Sequence, residues 1–241
     1  MKGRGAAALV LALLLESCAG GGGGGAGIPF SGDIRPLGPG LYWTFSISGN
    51  VTFLSTGKTY PITGQMKISV LGTFTSPTAH VPCLELDYSG SLSGTGFNWP
   101  YLDKELVYQD SQSNLWLCGS YNYVTKQFVF VTMPSAGLAA WFVSPMATAQ
   151  GGAFNAQFDD GGARDDAWTV GAVESVSGGR AFRVQDSSDR KPSDGTTRLC
   201  AGDVWFSPPV GNTLRRQLSC RWTDSTGRFT DTETWVLQSY G

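Results

Sequence analysis

The chain has little of what catalytic and metal sites are usually built from. It holds a single histidine, His80, so a Ser-His-Asp triad would have to use that residue, and no G-x-S-x-G elbow accompanies it. His80 lies in Pro77-Thr78-Ala79-His80-Val81-Pro82, which reads as a surface loop. None of the five cysteines stands in a C-x-x-C pair, and zinc or haem ligation finds no support. Charged residues make up only 15% of the chain, the net charge is −2 and no basic cluster occurs, which argues against nucleic acid as a partner. No segment sustains apolar residues at helical spacing. The apolar run from Ala6 to Leu15 is too short to span a bilayer. No cofactor is implied.

What is present reads as strand, turn, strand. Leu41 to Ile47, Met66 to Phe74, Cys83 to Tyr88 and Gln127 to Val131 mix β-branched, aromatic and alternating residues. Ser48-Gly49-Asn50, Ser55 to Lys58 and Asp110 to Asn114 read as turns. Leu138 to Phe142, between Pro134 and Pro145, reads as one helical turn joining two β halves. Strands resume at Phe154 to Phe158, Ala167 to Val176, Ala181 to Gln185, Thr196 to Phe206, Leu214 to Thr223 and Phe229 to Leu237. The expected fold is all-β: a strongly curved, largely antiparallel sheet or open barrel, from two weakly similar halves.

The leader gives an address. Lys2 and Arg4 precede the apolar run, which ends in Leu15-Glu16-Ser17-Cys18 and is followed by glycines from Gly20 to Gly25. That order resembles a bacterial lipoprotein signal peptide, which implies lipidation of Cys18, a membrane anchor and, with Ala19 after the cysteine, the outer membrane of a two-membrane cell. Residues 1–18 are then leader and lipidation site, 19–33 a tether, 34–136 the first half, 137–152 a connection and 153–241 the second half. Eight residues of such a tether, Gly20 to Gly27, reach about 16 Å on average.

Three further stretches carry a family resemblance. Arg35-Pro36-Leu37-Gly38-Pro39-Gly40-Leu41-Tyr42-Trp43-Thr44-Phe45, Val204-Trp205-Phe206-Ser207-Pro208-Pro209-Val210-Gly211 and Trp235-Val236-Leu237-Gln238-Ser239-Tyr240 resemble motifs of uncharacterised bacterial β-rich lipoproteins. Some of those are similar to the curved half-barrel sheets of periplasmic lipoprotein carriers. The resemblance implies architecture and location, and no reaction.

Candidate sites are sparse. An exported chain with Cys83, Cys118, Cys200 and Cys220 can form two disulfides. If Phe206 faces Leu214 across a hairpin, the paired numbers sum to 420 and Cys200 faces Cys220; Cys83 and Cys118 are left as the other pair. Asp159, Asp160, Asp165 and Asp166 flank a glycine pair and are weak Ca²⁺ candidates, an exposed acidic turn being the plainer reading. Asp186, Asp189 and Asp194, with Arg190 and Lys191, read as a solvated loop. Gly57-Lys58-Thr59 and Asp224-Ser225-Thr226-Gly227 read as hairpin turns rather than a phosphate loop or an aspartic-protease loop. Trp43, Trp116, Trp168, Trp205, Trp222 and Trp235 all fall in expected strands; they either pack a core or line a ligand face. The expected function is non-enzymatic binding of a hydrophobic ligand, a glycan or an envelope protein. A structural or adhesive surface protein is the second reading, and a hydrolase with dispersed carboxylates the third.

Overall fold

The structure, a computed structural model, describes residues 30–134, 136–176, 179–224 and 227–241. Cys18 and its leader lie outside the described residues. The strands are β1 (Tyr42–Phe53), β2 (Lys58–Thr75), β3 (Pro82–Gly94), β4 (Phe97–Gln109), β5 (Leu115–Asn122), β6 (Gln127–Met133) and β7 (Ala139–Phe142). They continue as β8 (Gly151–Phe158), β9 (Ala163–Val176), β10 (Gly179–Lys191), β11 (Thr197–Ser207), β12 (Asn212–Asp224) and β13 (Gly227–Tyr240). Among the described residues the one helical element is a 3₁₀ turn at Pro208–Val210.

The sheet order is β4-β3-β2-β1-β13-β12-β11-β10-β9-β8-β6-β5-β7, and β4 also pairs with β5. That pairing closes the sheet into a twelve-stranded antiparallel barrel, with β7 as an extra strand on β5. The barrel is thus closed where an open one was allowed for, and closure leaves few unpaired edges. β5 forks: Gly119 to Asn122 pair with β6, and Leu115 to Leu117 pair with β7.

The expected helical turn at Leu138 to Phe142 is instead strand β7. A lone helical turn is unstable, whereas the free edge of β5 offers ladder partners to Ala139, Ala140 and Phe142. The turn expected at Ser48-Gly49-Asn50 is also strand, because β1 runs unbroken to Phe53. Gly49 serves close approach there: a Cβ would collide with the Thr232 carbonyl oxygen. Gly64 and Gly90 do the same on β2 and β3, and glycines at such points let a wall bend sharply. Trp99 and Trp141, expected in irregular segments, lie in β4 and β7.

The up-and-down order sends six hairpins to one end of the barrel. There Phe53, Tyr60, Phe97, Trp99, Trp222 and Phe229 form one aromatic cluster, with Trp222 stacked on Phe229 at 5.6 Å and 14°. The opposite end is covered by the segment before β1. Ile34 is buried, the Arg35 N–H donates to the Pro208 carbonyl at 2.8 Å, and the Leu37 N–H donates to Gln109 Oε1 at 2.7 Å. Both disulfides are present. Cys200 faces Cys220 in register, with Cα atoms 4.1 Å apart. A bulge between Trp205 and Phe206 moves Phe206 opposite Thr213, so the 420 sum holds at the cysteines and fails at the turn. Cys83–Cys118 joins β3 to β5 across β4, against the buried Leu106.

Candidate functional site

Strand alternation decides what the barrel encloses. On β1 to β3 the inward residues are apolar, among them Trp43, Phe45, Met66, Ile68 and Leu86. On β4 and β9 to β13 the same alternation turns charges inward: Asp103 and Glu105, Arg164 and Asp166, Asp186 and Arg190, Arg198, Arg216, and Asp231 and Glu233. Asp186 and Arg190, expected in a solvated loop, are therefore lumen residues, because β10 runs on to Lys191.

Register then sets three arginines side by side. Arg164 on β9 faces Arg190 on β10, and Arg190 faces Arg198 on β11. Like charges directly opposite repel, and carboxylates offset this for two of the three. From the far wall, Glu105 Oε1 takes Arg164 Nη1 at 2.6 Å and Arg190 Nη2 at 2.7 Å. Asp103 takes Arg190 at 2.8 Å, and Asp166 takes Arg164 at 2.6 Å. The Tyr88 hydroxyl donates to Glu105 Oε2 at 2.8 Å. Burial alone would raise the Glu105 carboxyl; Arg190 and Arg164 overcome it and hold the group at about 2.

Two other carboxyls move the opposite way. Burial, helped by Asp166, pushes Asp186 up to about 6. Burial, helped by Glu233, pushes Asp231 up to about 7, and its Oδ2 accepts the Trp222 indole N–H at 2.6 Å. Both lie above the ordinary 3.8, so the folded chain keeps protons that the unfolded chain releases as pH rises from about 4 to 7. Stability should fall across that window. Glu105 acts in reverse, its contribution being lost as pH falls from 4.5 towards about 2. We expect a loss on the order of 2 kcal/mol between pH 5 and pH 8, read as a lower urea midpoint. Asp231→Asn should flatten that slope; equal midpoints for the wild type at both pH values would contradict the assignment.

A cavity of about 110 Å³ occupies the lumen, lined by Asp186, Ser188, Arg198, Val204, Arg216 and Trp235 among others. A cleft of about 330 Å³ lies at the hairpin end, lined by Tyr101, Asp103, Tyr121, Tyr123, Arg190, Arg198 and Trp222 among others. The two share Tyr101, Asp103, Arg190 and Arg198 in their walls. At 10–15 Å³ per water centre, the inner cavity holds on the order of ten waters or one small polar group. Among the described residues Ser188 Oγ and Arg198 Nε are buried without a partner. Among the described residues no carboxylate lies within ion-pair distance of Arg198 or Arg216. Arg216 instead donates from Nε to Thr213 Oγ1 at 3.1 Å and lies over Trp235.

The six tryptophans, read from the sequence as either core packing or a ligand face, do not share one face. Trp43 and Trp235 line the lumen cavity, and Trp222 lines the cleft. Trp168 is buried against Phe142, outside both. Trp205 lies on the outer wall, where its N–H donates to Glu174 and Arg183 and Arg215 cover it. Trp116 donates to Asp110 in the β4–β5 turn. The four Ca²⁺ candidates also scatter. Asp159 accepts the Phe130 N–H, Asp160 accepts from Asn122, Ser193 and Gly162, Asp165 accepts from Asn155, and Asp166 holds Arg164. Adjacent strand positions point to opposite faces, so Asp165 and Asp166 cannot share an ion. Of the inward charges, sequence reasoning gave Asp166, Asp186 and Arg190 other roles and missed the rest. Their signal is charge at strand spacing: Asp103 with Glu105, Arg164 with Asp166, Asp231 with Glu233.

No family model matches the chain, and no curated protein matches it. Among solved structures, a protein described as exported, of YmcC-like fold, from Bacteroides fragilis NCTC 9343 aligns at 12% identity and TM-score 0.34, covering 88% of this chain and 99% of its own. A protein described as a lipoprotein, from Parabacteroides distasonis ATCC 8503, aligns at 15% identity and TM-score 0.35, with the same coverage. DynF of the dynemicin biosynthesis pathway of Micromonospora chersina aligns at 11% identity and TM-score 0.27, covering 89% of this chain and 87% of its own.

Proposed function

We propose that this protein is an exported, lipid-anchored binding protein that holds a small polar ligand inside its barrel. The observation that carries the reading is a lumen whose charged and polar groups are not all satisfied, beside an end cleft that shares its wall. Of the ligands expected from the sequence, a wholly apolar one suits this wall least. It would shut Arg198 and Arg216, which have no ion-pair partner among the described residues, away from water beside Asp186, at several kcal/mol each. A glycan fragment or other small polar molecule suits it better, because aromatic faces stand beside planar charged groups at Tyr101, Trp222 and Arg198. The anchor follows from Cys18 and the glycine tether, and the outer membrane from Ala19.

A hydrolase is the second reading, because Asp186 and Glu105 line one cavity with carboxyls near 6 and near 2. Acid–base work needs both carboxylates free to meet substrate. Glu105 is held by two arginines and Tyr88, which favours binding over catalysis.

Ser188→Leu tests the binding reading by filling the inner cavity. Native mass spectrometry of the full chain, purified in detergent from its own membrane, should show an added mass on the wild type. The variant, melting at a similar temperature, should lose that mass. A bare wild type, or equal occupancy in both, would overturn the reading.

A further inference from the structure

We infer that the cleft at the hairpin end is a carboxylate-recognition site centred on Arg198; this rests on the reading of the barrel as a ligand-binding protein. The starting point is the arginine row. Arg164, Arg190 and Arg198 stand opposite one another on β9, β10 and β11. Glu105, Asp103 and Asp166 serve the first two. Among the described residues Arg198 has no such carboxylate. Its Nη1 donates to the Tyr101 hydroxyl at 3.0 Å, and its Nη2 lies 3.8 Å from Cys220 Sγ, a weak acceptor already in a disulfide. Its Nε has no acceptor among the described residues. A guanidinium carries five donors, so this one is far from satisfied.

The side chain is nonetheless held in place. Its guanidinium lies 4.3 Å from the Trp222 ring centroid and 5.9 Å from that of Tyr101. A guanidinium packed against two rings loses little further freedom when it grips a planar oxyanion, and this suits arginine better than lysine. The surrounding charge then selects the anion. In the cleft wall, Asp103 is taken by Arg190, and Asp194 is taken by the Thr196 N–H and hydroxyl. Asp231 and Glu233 act on Arg198 from beyond ion-pair distance. One positive charge with no ion-pair partner among the described residues, ringed by more distant carboxyls, fits a singly charged carboxylate better than a doubly charged phosphate. Tyr121, Tyr123 and Trp222 in the same wall suit a ligand whose carboxylate is borne on a ring.

The test uses benzoate as probe on the full chain, with methyl benzoate and inorganic phosphate as controls at matched ionic strength. The readout is the Trp222 indole N–H resonance, assigned by its loss in Trp222→Phe. Benzoate should shift it saturably, while methyl benzoate and phosphate bind at least tenfold more weakly. Arg198→Gln should raise the benzoate Kd at least tenfold, and Arg198→Lys should rescue it only in part. No saturable shift with benzoate, or equal binding of the uncharged ester, overturns the inference without any variant. Tighter binding of phosphate overturns the choice of carboxylate. The two readings fail separately: a native occupant without a carboxylate sinks this inference alone, while a lumen that never holds an occupant sinks the binding reading.

Discussion

Glu105→Gln should destabilise the fold by about 3 to 5 kcal/mol, the usual cost of breaking a buried ion pair from one side. Glu105 is almost fully buried, and its Oε1 alone receives both Arg164 and Arg190. The amide keeps the volume but removes the charge that offsets two neighbouring guanidinium groups. It also turns donors towards donors. Urea denaturation at pH 5 gives the loss directly as a lower midpoint with an unchanged slope. A joint change of Glu105, Arg164 and Arg190 to Leu, Met and Met, with Asp166 and Asp103, the other partners of the two arginines, also changed to Leu, should recover most of the loss, because an apolar core of similar volume needs no pairing. A loss below about 1 kcal/mol for Glu105→Gln would mean that the network contributes no more than a surface pair.

Removing the disulfides should cost a comparable amount. Cys83–Cys118 closes a separation of 35 residues and Cys200–Cys220 one of 20. On the loop-entropy model these restrain the unfolded chain by about 4 and about 3 kcal/mol. Cys83→Ser with Cys118→Ser should therefore lower stability more than Cys200→Ser with Cys220→Ser. The second pair should also loosen the cleft, because Cys220 Sγ lies against Arg198. Non-reducing peptide mapping checks the premise: a free Cys200 peptide, or one linked to Cys83, would break the hairpin register as well as the bond.

The hairpins were legible because turn chemistry and alternation agree there. The stretches read as turns at Gly57 and before Gly227 do join hairpins: Gly57 takes a positive φ between β1 and β2, and Trp222 meets Phe229 across β12 and β13. The lumen was hidden for the opposite reason. In β10, Asp186-Ser187-Ser188-Asp189-Arg190 is polar at every position, so neither face stands out and the stretch reads as loop. In β4, Asp103 and Glu105 alternate with Leu102, Lys104 and Leu106, and nothing local says which set faces inward. Only closure decides it, by bringing β4 opposite β9 and β10. The places of the tryptophans were hidden for a related reason. A strand tryptophan signals packing but not a face, and the six divide among lumen, cleft, outer wall and turn.

The most direct test of the account is a crystal structure of the full chain purified from its own membrane without exchange of bound molecules. Continuous non-protein density in the lumen or cleft, contacting Arg198, Ser188 or Asp186, is the expected result. A lumen that holds only water, with density for a bound molecule on the outer wall instead, would contradict it.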